Sequence, residues 1–189
     1  AVAVDLDYDR VRALFSQVAE GVIALHDEDK LHRDLKPGNV LVRGDDRVAL
    51  LDFGLVADID RRWEVGADGD ISSGGVVASG GAAVGTISYM APEQAAAKEL
   101  GTCSDWYAVG VMLFEVLTGR LPFEGTNTEK IRQKLTQAPP RASSFNPTVP
   151  ADLDQHAGRA KALAPESGQL GDGLRRRHRG GRGRAKLSS

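Results

Sequence analysis

Apolar side chains recur every three or four residues near the start of the chain, at Val11, Leu14, Phe15, Val18, Val22 and Leu25. This spacing places them on one face of an α-helix, so we predict one amphipathic helix from Tyr8 to Asp29. Two short β-rich runs follow, NVLV at residues 39–42 and RVALL at residues 47–51. A Gly-Asp-Asp turn separates the runs, which predicts a small β-hairpin.

The second half of the chain contains one strongly apolar segment and one polar segment. Residues 105–118 (DWYAVGVMLFEVLT) are apolar nearly all round, which is typical of a helix buried on every side. Ser104 or Asp105 is a candidate cap for its start, and Gly119 for its end. Residues 126–129 (TNTE) have the form of a capping box, which predicts a polar helix that stops before the following Pro-Pro pair.

Two stretches show no hydrophobic period. From Asp58 to Val84 the chain is rich in Gly, Ala and Ser, which predicts a long loop. Residues 155–189 are dominated by Arg, Gly and Ala, which predicts a basic tail that is either disordered or read in a shifted frame. GC-rich DNA that is translated in a wrong reading frame is rich in codons for Arg, Gly and Ala. We therefore predict one domain over residues 1–154 and a separate tail over 155–189.

Composition excludes several classes of protein. A chain of 189 residues, 41% apolar and 26% charged, suits one globular domain. Its net charge of −2 gives no overall attraction to nucleic acid or to a membrane surface. The single cysteine, Cys103, excludes an internal disulfide, and no apolar run reaches the ~20 residues that span a bilayer. With no signal-peptide pattern at the start, these features predict a cytoplasmic protein.

Three motifs carry the candidate chemistry: HRDLKPGN at residues 32–39, DFG at 52–54 and APE at 91–93. In their content and order, and in the 18-residue step from Asp34 to Asp52, they resemble the signature set of eukaryotic-type serine/threonine protein kinases. The segments YMAPEQ and LLDFGLV are similar to the corresponding segments in the bacterial branch of that family. The resemblance covers about residues 9–154, most of the chain.

The resemblance implies an α+β fold, a protein-kinase-like C-terminal lobe that is mostly helical with a small β-hairpin at the active-site edge. The sequence contains no glycine-rich phosphate loop, no VAIK-type strand and no helix with the partner glutamate. We therefore expect the N-terminal lobe to be missing from this chain and to be supplied by an upstream segment. The implied function of the full-length kinase is ATP-dependent phosphorylation of serine or threonine in proteins. The chain alone is expected to be inactive.

Four residues suit phosphoryl transfer, which needs a positioned hydroxyl, metal ions on phosphate oxygens and positive charge where negative charge accumulates. Asp34 follows a helix, where its carboxylate can accept the hydrogen bond of a substrate hydroxyl, and Lys36 can place its ammonium on the transferred phosphate of ATP. Asn39 and Asp52 offer hard oxygen ligands, which suit Mg²⁺, or Mn²⁺ in its place. Taken singly, each is an ordinary turn or surface residue. Their joint spacing favours a site.

The resemblance implies binding roles for two further residues. Thr86, within the substrate-binding end of the activation segment, would hydrogen-bond near Asp34 and Lys36. The alternative is a plain strand or turn threonine. Leu41, on the first hairpin strand, would form the floor under adenine. It is also interpretable as a simple core leucine.

The remaining candidates have structural or regulatory roles by resemblance. Asp105 would hold the backbone of the HRD segment by hydrogen bonds, which a buried carboxylate needs. Arg33 would bind a phosphate on the activation loop, a bidentate task that suits guanidinium. The family pairs the APE glutamate with an arginine between later helices. No such turn follows here, so we expect Glu93 to lack this arginine partner, which would weaken the substrate-binding segment by about 3–5 kcal/mol if the site is buried. The structural or regulatory positions are His32, Arg33, Phe53, Gly54, Glu93 and Asp105.

Two other functions compete with catalysis. The first is a non-catalytic binding module, either a pseudokinase or a fragment that docks partners. The complete set of C-lobe chemical residues argues against a pseudokinase by design. The second is nucleic-acid binding by the basic run RRRHRGGRGR at residues 175–184. A short Arg/Gly run is more often an incidental chain end, so we do not expect nucleic acid to be a partner.

Overall fold

The computed structural model describes residues 6–51, 57–58 and 86–157. Its helices are α1 (Tyr8–Asp27), α2 (Thr86–Tyr89), α3 (Pro92–Ala95), α4 (Thr102–Thr118), α5 (Asn127–Thr136) and α6 (Ala151–His156). Its strands are β1 (Lys30–Leu31), β2 (Val40–Val42), β3 (Val48–Leu50) and β4 (Ala57–Asp58). Two 3₁₀ turns span Pro37–Asn39 and Ala142–Ser144. The described part is therefore helix-rich with small β elements, in agreement with the α+β prediction.

Helix α1 confirms the amphipathic pattern. Its start is capped by Asp7, whose side chain accepts hydrogen bonds from the first backbone N–H groups of the helix. The apolar face is buried at Val11, Val18 and Val22. The helix ends at Asp27, and Asp29 with φ of 55° turns the chain toward β1.

The predicted β-hairpin is present. Strands β2 and β3 pair antiparallel, with Val40 opposite Leu50 and Val42 opposite Val48. A second antiparallel pair joins β1 to β4, with Lys30 opposite Asp58. The loop predicted from Asp58 onward is therefore wrong at its first residue, which belongs to a strand. The rest of that predicted loop lies outside the described residues.

Helix α4 begins earlier than predicted, at Thr102. Ser104 and Asp105 lie inside its first turn and do not cap it, because their side chains bind other parts of the protein. The predicted end is confirmed. Gly119 adopts a left-handed conformation with φ of 70°, and its N–H donates to the Glu115 carbonyl.

Helix α4 forms the centre of the described core. Its side chains are buried from Ser104 to Phe114, and they contact α1 on one side and α2, α3 and α6 on the others. Among its bulky apolar residues only Val116 is exposed. The predicted burial on every side thus holds for all but one face of the last turn. The α4 side chains that pack in the three apolar clusters of the described residues are Trp106, Tyr107, Ala108, Val109, Val111, Met112, Leu113, Phe114 and Leu117.

The two later helices flank this core. The predicted capping box opens α5: the Thr126 hydroxyl accepts from Glu129 N, and Glu129 Oε2 accepts from Thr126 N at 2.7 Å. Helix α6 continues through the predicted domain boundary, and Leu153 and Ala157 are buried beside α4. Residues 158–189, the rest of the predicted tail, lie outside the described residues. Within the described ranges, no helix combines the length and apolarity needed to cross a bilayer.

Candidate active site

The loop between β1 and β2, residues 32–39, brings three predicted site residues together. Arg33 adopts a left-handed conformation with φ of 67°, and the 3₁₀ turn Pro37–Asn39 folds the end of the loop back. Asn39 N donates to the Lys36 carbonyl at 2.9 Å, which closes this turn. Asp34, Lys36 and Asn39 consequently face one another.

The Asp34 carboxylate is fixed by two donors. Lys36 Nζ lies 2.6 Å from Asp34 Oδ2, and Asn39 Nδ2 donates to the same oxygen at 3.1 Å. Asn39 Nδ2 also donates to the Asp34 carbonyl at 2.8 Å. The second carboxylate oxygen, Oδ1, accepts no hydrogen bond from the part of the chain that the structure describes. Asp34 therefore has one oxygen oriented by protein and one available to a substrate.

Asn39 is placed so that its amide oxygen remains available. Both hydrogen bonds of its side chain use Nδ2, and its Oδ1 accepts none from residues 6–51, 57–58 or 86–157. Asn39 is also buried, so its oxygen has a fixed direction. An amide oxygen of this kind fits a hard cation that takes its other ligands from phosphates and water. The described ranges hold no cluster of three His, Cys, Asp or Glu ligands. The predicted ligand Asp52, with Phe53 and Gly54, lies outside them.

Asp105 holds the start of the loop of residues 32–39, which we call the catalytic loop after the kinase motif that it resembles. Its carboxylate accepts from His32 N at 2.9 Å and from Arg33 N at 2.8 Å, and only 1% of the residue is exposed. His26 Nε2 lies 2.9 Å from Asp105 Oδ2, and His32 Nε2 lies 3.1 Å from the Leu51 carbonyl. The sequence analysis missed His26, because an isolated histidine in the last turn of a helix carries no signal of a distant carboxylate.

The interpretation of Leu41 as a core leucine is wrong. Leu41 is 47% exposed on β2, and Val42 beside it is also exposed. Leu51, just after β3, adds a third exposed apolar side chain to the hairpin. The hairpin buries its other face against α1 and α4, through Val40, Val48 and Leu50. An open apolar surface thus lies next to the catalytic loop.

The segment from Thr86 to Ala91 lies between the catalytic loop and α5. Thr86 opens α2, but its side chain lies outside the described part, so its predicted contacts with Asp34 and Lys36 stay a prediction. Gln94 connects the segment to the loop. Its Oε1 accepts from Ala91 N at 2.9 Å, and its Nε2 donates to the Arg33 carbonyl at 2.9 Å.

The structure gives Glu93 a serine as a hydrogen-bond partner. Glu93 is only partly buried, and its Oε1 accepts from the Ser104 hydroxyl at 2.6 Å. No arginine of the described ranges pairs with it. A serine in the first turn of α4 therefore donates to the carboxylate that the family pairs with an arginine. Because Glu93 is only partly buried, the condition for the predicted weakening of the segment is not met.

Two further contacts of this segment had no signal in the sequence. The Tyr89 hydroxyl donates to Glu115 Oε2 at 2.6 Å, and burial raises the pKa of Tyr89. Lys134 on α5 is buried and donates to three backbone carbonyls of the segment. Burial, with a smaller effect from Lys130, lowers the pKa of Lys134 to about 7.

Comparison with known proteins identifies the family to which this chain belongs. The family model described as the protein kinase domain matches residues 3–168 of the chain. The chain belongs to the protein kinase family. The match extends past residue 154, and the division into a domain and a tail at that point stays a prediction.

The chain is similar to several bacterial serine/threonine-protein kinases. It is 37% identical to PknL of Mycobacterium tuberculosis over 156 residues, 82% of this chain and 36% of PknL. It is 31% identical to PrkC of Bacillus subtilis over 153 residues, 80% of this chain and 22% of PrkC. It is 43% identical to pkn2 of Myxococcus xanthus over 120 residues, 61% of this chain and 13% of pkn2. The resemblance to bacterial serine/threonine kinases is confirmed, and the chain spans little more than a third of these relatives at most.

Proposed function

We propose that this chain forms the catalytic and substrate-binding part of a kinase that phosphorylates serine or threonine in proteins. The observation that carries the proposal is the Asp34 carboxylate, which Lys36 and Asn39 orient from one side. Membership of the kinase family and the printed names of the bacterial relatives support it. A carboxylate oxygen that accepts no hydrogen bond from the described residues, on a side chain fixed through its other oxygen, is suited to orient an attacking hydroxyl group.

Four residues of this chain have separate roles in the proposed reaction. Asp34 would accept the hydrogen bond of the substrate hydroxyl and take its proton as the hydroxyl oxygen bonds to the γ-phosphorus and the bond from that phosphorus to the departing ADP breaks. Lys36, 2.6 Å from Asp34, places its ammonium where the transferred group gathers negative charge. Asp105 fixes the backbone beneath them, because its two oxygens accept from consecutive N–H groups of the loop. The guanidinium of Arg33 would bind a phosphate group on the activation loop.

The residues present fit ATP and Mg²⁺, or Mn²⁺ in its place. Asn39 and Asp52 would hold the metal, Lys36 would contact a phosphate, and the exposed Leu41 would contact adenine. When bound, ATP supplies the phosphoryl group and the metal neutralises charge on its oxygens. The Asn39 Oδ1, which is free of hydrogen bonds from the described residues, supports the metal assignment.

The wider context of the chain is part of the proposal. The sequence contains no glycine-rich phosphate loop of the kinase type and no VAIK-type strand, so we propose that a separate N-terminal lobe covers the phosphates of ATP. Thr86 and the residues after it would bind the protein substrate. We also propose a cytoplasmic location, because the use of ATP and a chain with a single cysteine suit that compartment.

The proposal is tested with a kinase domain in which this chain is joined to an N-terminal lobe. Replacing Asp34 by Asn removes the proton acceptor and should lower phosphate transfer to a generic basic protein by about 10²–10⁴-fold. Transfer from labelled ATP measures the effect. Asp45→Asn, on the exposed hairpin turn, is the matched control and should leave transfer unchanged.

Two results would contradict the proposal. Full activity of the Asp34→Asn variant would remove Asp34 from catalysis. ATP binding without any phosphate transfer by the wild type would instead favour the non-catalytic binding module.

A further inference from the structure

Lys134, in the last turn of α5, is an unusual buried cation. Only 5% of the residue is exposed. Its ammonium donates to the carbonyls of Ile87 at 2.8 Å, Ser88 at 2.8 Å and Met90 at 2.6 Å. A lysine has three N–H donors, so all of them are used by one short stretch of backbone. The side chain is therefore committed to this stretch and has no donor left for an anion or a solvent molecule.

The acceptors are carbonyls that the backbone itself leaves unpaired. Helix α2 has only four residues, so its carbonyls lack partners one turn further on. A cation at the carboxyl end of a helix also interacts favourably with the helix dipole. Lys130, one turn earlier on α5, adds a second tether: its Nζ donates to the Ser88 hydroxyl at 3.1 Å. The Tyr107 ring lies 5.3 Å from Lys134 Nζ and completes the site.

The stretch held by Lys134 is connected to the catalytic loop. Directly after Met90, Ala91 N donates to Gln94 Oε1, and Gln94 Nε2 donates to the Arg33 carbonyl. Residues 86–91 are thus held between α5 on one side and the backbone next to Asp34 on the other. Any displacement of this stretch relative to α5 changes its distance from the attacking site.

We propose that Lys134 is a positioning residue that holds residues 86–91 in register with Asp34 for the protein substrate. The inference rests on the proposed function only for the identification of this stretch as the substrate-binding segment. Among the described residues, the Lys134 ammonium makes no hydrogen bond or ion pair with the hairpin or the catalytic loop. Its effect should therefore fall on the protein substrate and spare ATP.

A positioning role and a merely structural role predict different results for Lys134→Met. Methionine keeps a similar length and apolar stem but has no donor. Because it removes a buried charge, it should leave the global stability of the chain unchanged or raise it. Its loss of three charged hydrogen bonds should at the same time loosen residues 86–91. A local loosening without global destabilisation is the signature of positioning.

Hydrogen exchange on this chain tests the proposal without any need for activity. In Lys134→Met, exchange at the backbone N–H groups of residues 88–91 should accelerate about tenfold or more, since three charged hydrogen bonds are lost. Ala91 is the best reporter, because its N–H is bound to Gln94. Arg132→Met, an exposed change on the same helix, should leave the exchange unchanged. Unchanged exchange in Lys134→Met, or acceleration throughout the chain together with a lower unfolding midpoint, would overturn the proposal.

A kinetic experiment tests the link to substrate. In an active kinase domain that includes this chain, Lys134→Met should raise the KM for a protein substrate about tenfold and leave the KM for ATP unchanged. Lys130→Met should have a smaller effect in the same direction, because it removes a single contact. An unchanged KM for protein, or an equal rise for ATP, would overturn the proposal. Complete lack of phosphate transfer by the wild type would instead contradict the proposed function, while the exchange result still decides the role of Lys134.

Discussion

Buried charged side chains in this protein bind backbone groups of irregular segments. Asp105 accepts from two consecutive N–H groups at the start of the catalytic loop. Lys134 donates to three carbonyls between residues 87 and 90. Asp154 accepts from both the backbone and the side chain of Ser143 in a 3₁₀ turn. Each ion therefore fixes a piece of chain that has too few hydrogen bonds of its own.

Replacing Asp105 by Ala should destabilise the chain by about 3–5 kcal/mol, because it leaves two loop N–H groups and His26 without their acceptor. The free energy of unfolding in urea measures the loss. Asp27→Ala, at an exposed position near the end of α1, is the control and should change it by less than about 0.5 kcal/mol. Equal effects of the two changes would show that the carboxylate of Asp105 is not needed to hold the loop.

The stability should also depend on pH through Lys134. Burial lowers its pKa from 10.5 to about 7 in the folded chain. Between these values the unfolded chain binds more protons, so the free energy of unfolding rises with pH, by at most about 1.4 kcal/mol per unit. The groups that face the ammonium are Lys130 and Tyr107, with Glu93 beyond the tyrosine. Burial raises the pKa of Tyr107, so its hydroxyl stays neutral in this window.

Urea unfolding of the wild type and Lys134→Met at several pH values between 6 and 10 measures this contribution. The stability of the wild type relative to the variant should rise with pH. Parallel pH curves for the two proteins would contradict the lowered pKa.

At the scale of elements, the helices differ in what determines their position. Helices α1 and α5 carry side-chain caps within their own sequence. Helices α2 and α3 have four residues each, far fewer than an isolated helix needs for stability. They are held by contacts with α4 and α5. The two short helices, which carry the proposed substrate-binding segment, therefore depend on their neighbours.

The capping box gives a prediction for α5. Thr126→Ala removes the acceptor for Glu129 N and should lower the free energy of unfolding by about 1 kcal/mol. Urea unfolding measures the change. Thr128→Ala, an exposed position inside the same helix, is the matched control and should be neutral or slightly stabilising. A similar loss in both variants would mean that the cap contributes nothing beyond helix propensity.

At the scale of the whole molecule, α4 organises the core and the hairpin leaves one surface open. Three apolar clusters all include α4 side chains. The hairpin, in contrast, exposes Leu41 and Val42 beside the catalytic loop. The described part of the chain thus has an exposed apolar surface on the strand that directly follows the loop of Asp34 and Asn39.

We predict that this chain by itself transfers no phosphate. Positioning supplies most of the rate in phosphoryl transfer, and the sequence holds no kinase-type phosphate loop to grip the phosphates. Incubation of the 189-residue chain with labelled ATP and a generic basic protein should give no incorporation above background. Clear incorporation that Asp34→Asn abolishes would show that the chain needs no second lobe.

The sequence by itself determined the elements with local signals. The period of apolar residues predicted α1, the turn residues predicted the hairpin, and Thr126 with Glu129 predicted the start of α5. Gly119 predicted the end of α4, because a left-handed residue there favours glycine. The motif at residues 32–39 predicted that Asp34, Lys36 and Asn39 form a site, since they are close in sequence and one turn is enough to join them.

Only the tertiary structure decided the contacts between residues far apart in the chain. Ser104 and Asp105 fit the residue preferences of a helix cap, but the structure uses them to bind Glu93 and the catalytic loop. His26 and Lys134 gave no signal, because their partners lie 79 and at least 44 residues away. A hydrogen bond to a backbone carbonyl does not require any particular residue type in the partner, since every residue has a backbone carbonyl. Local periodicity determines which elements form, and packing determines which polar groups those elements bring together.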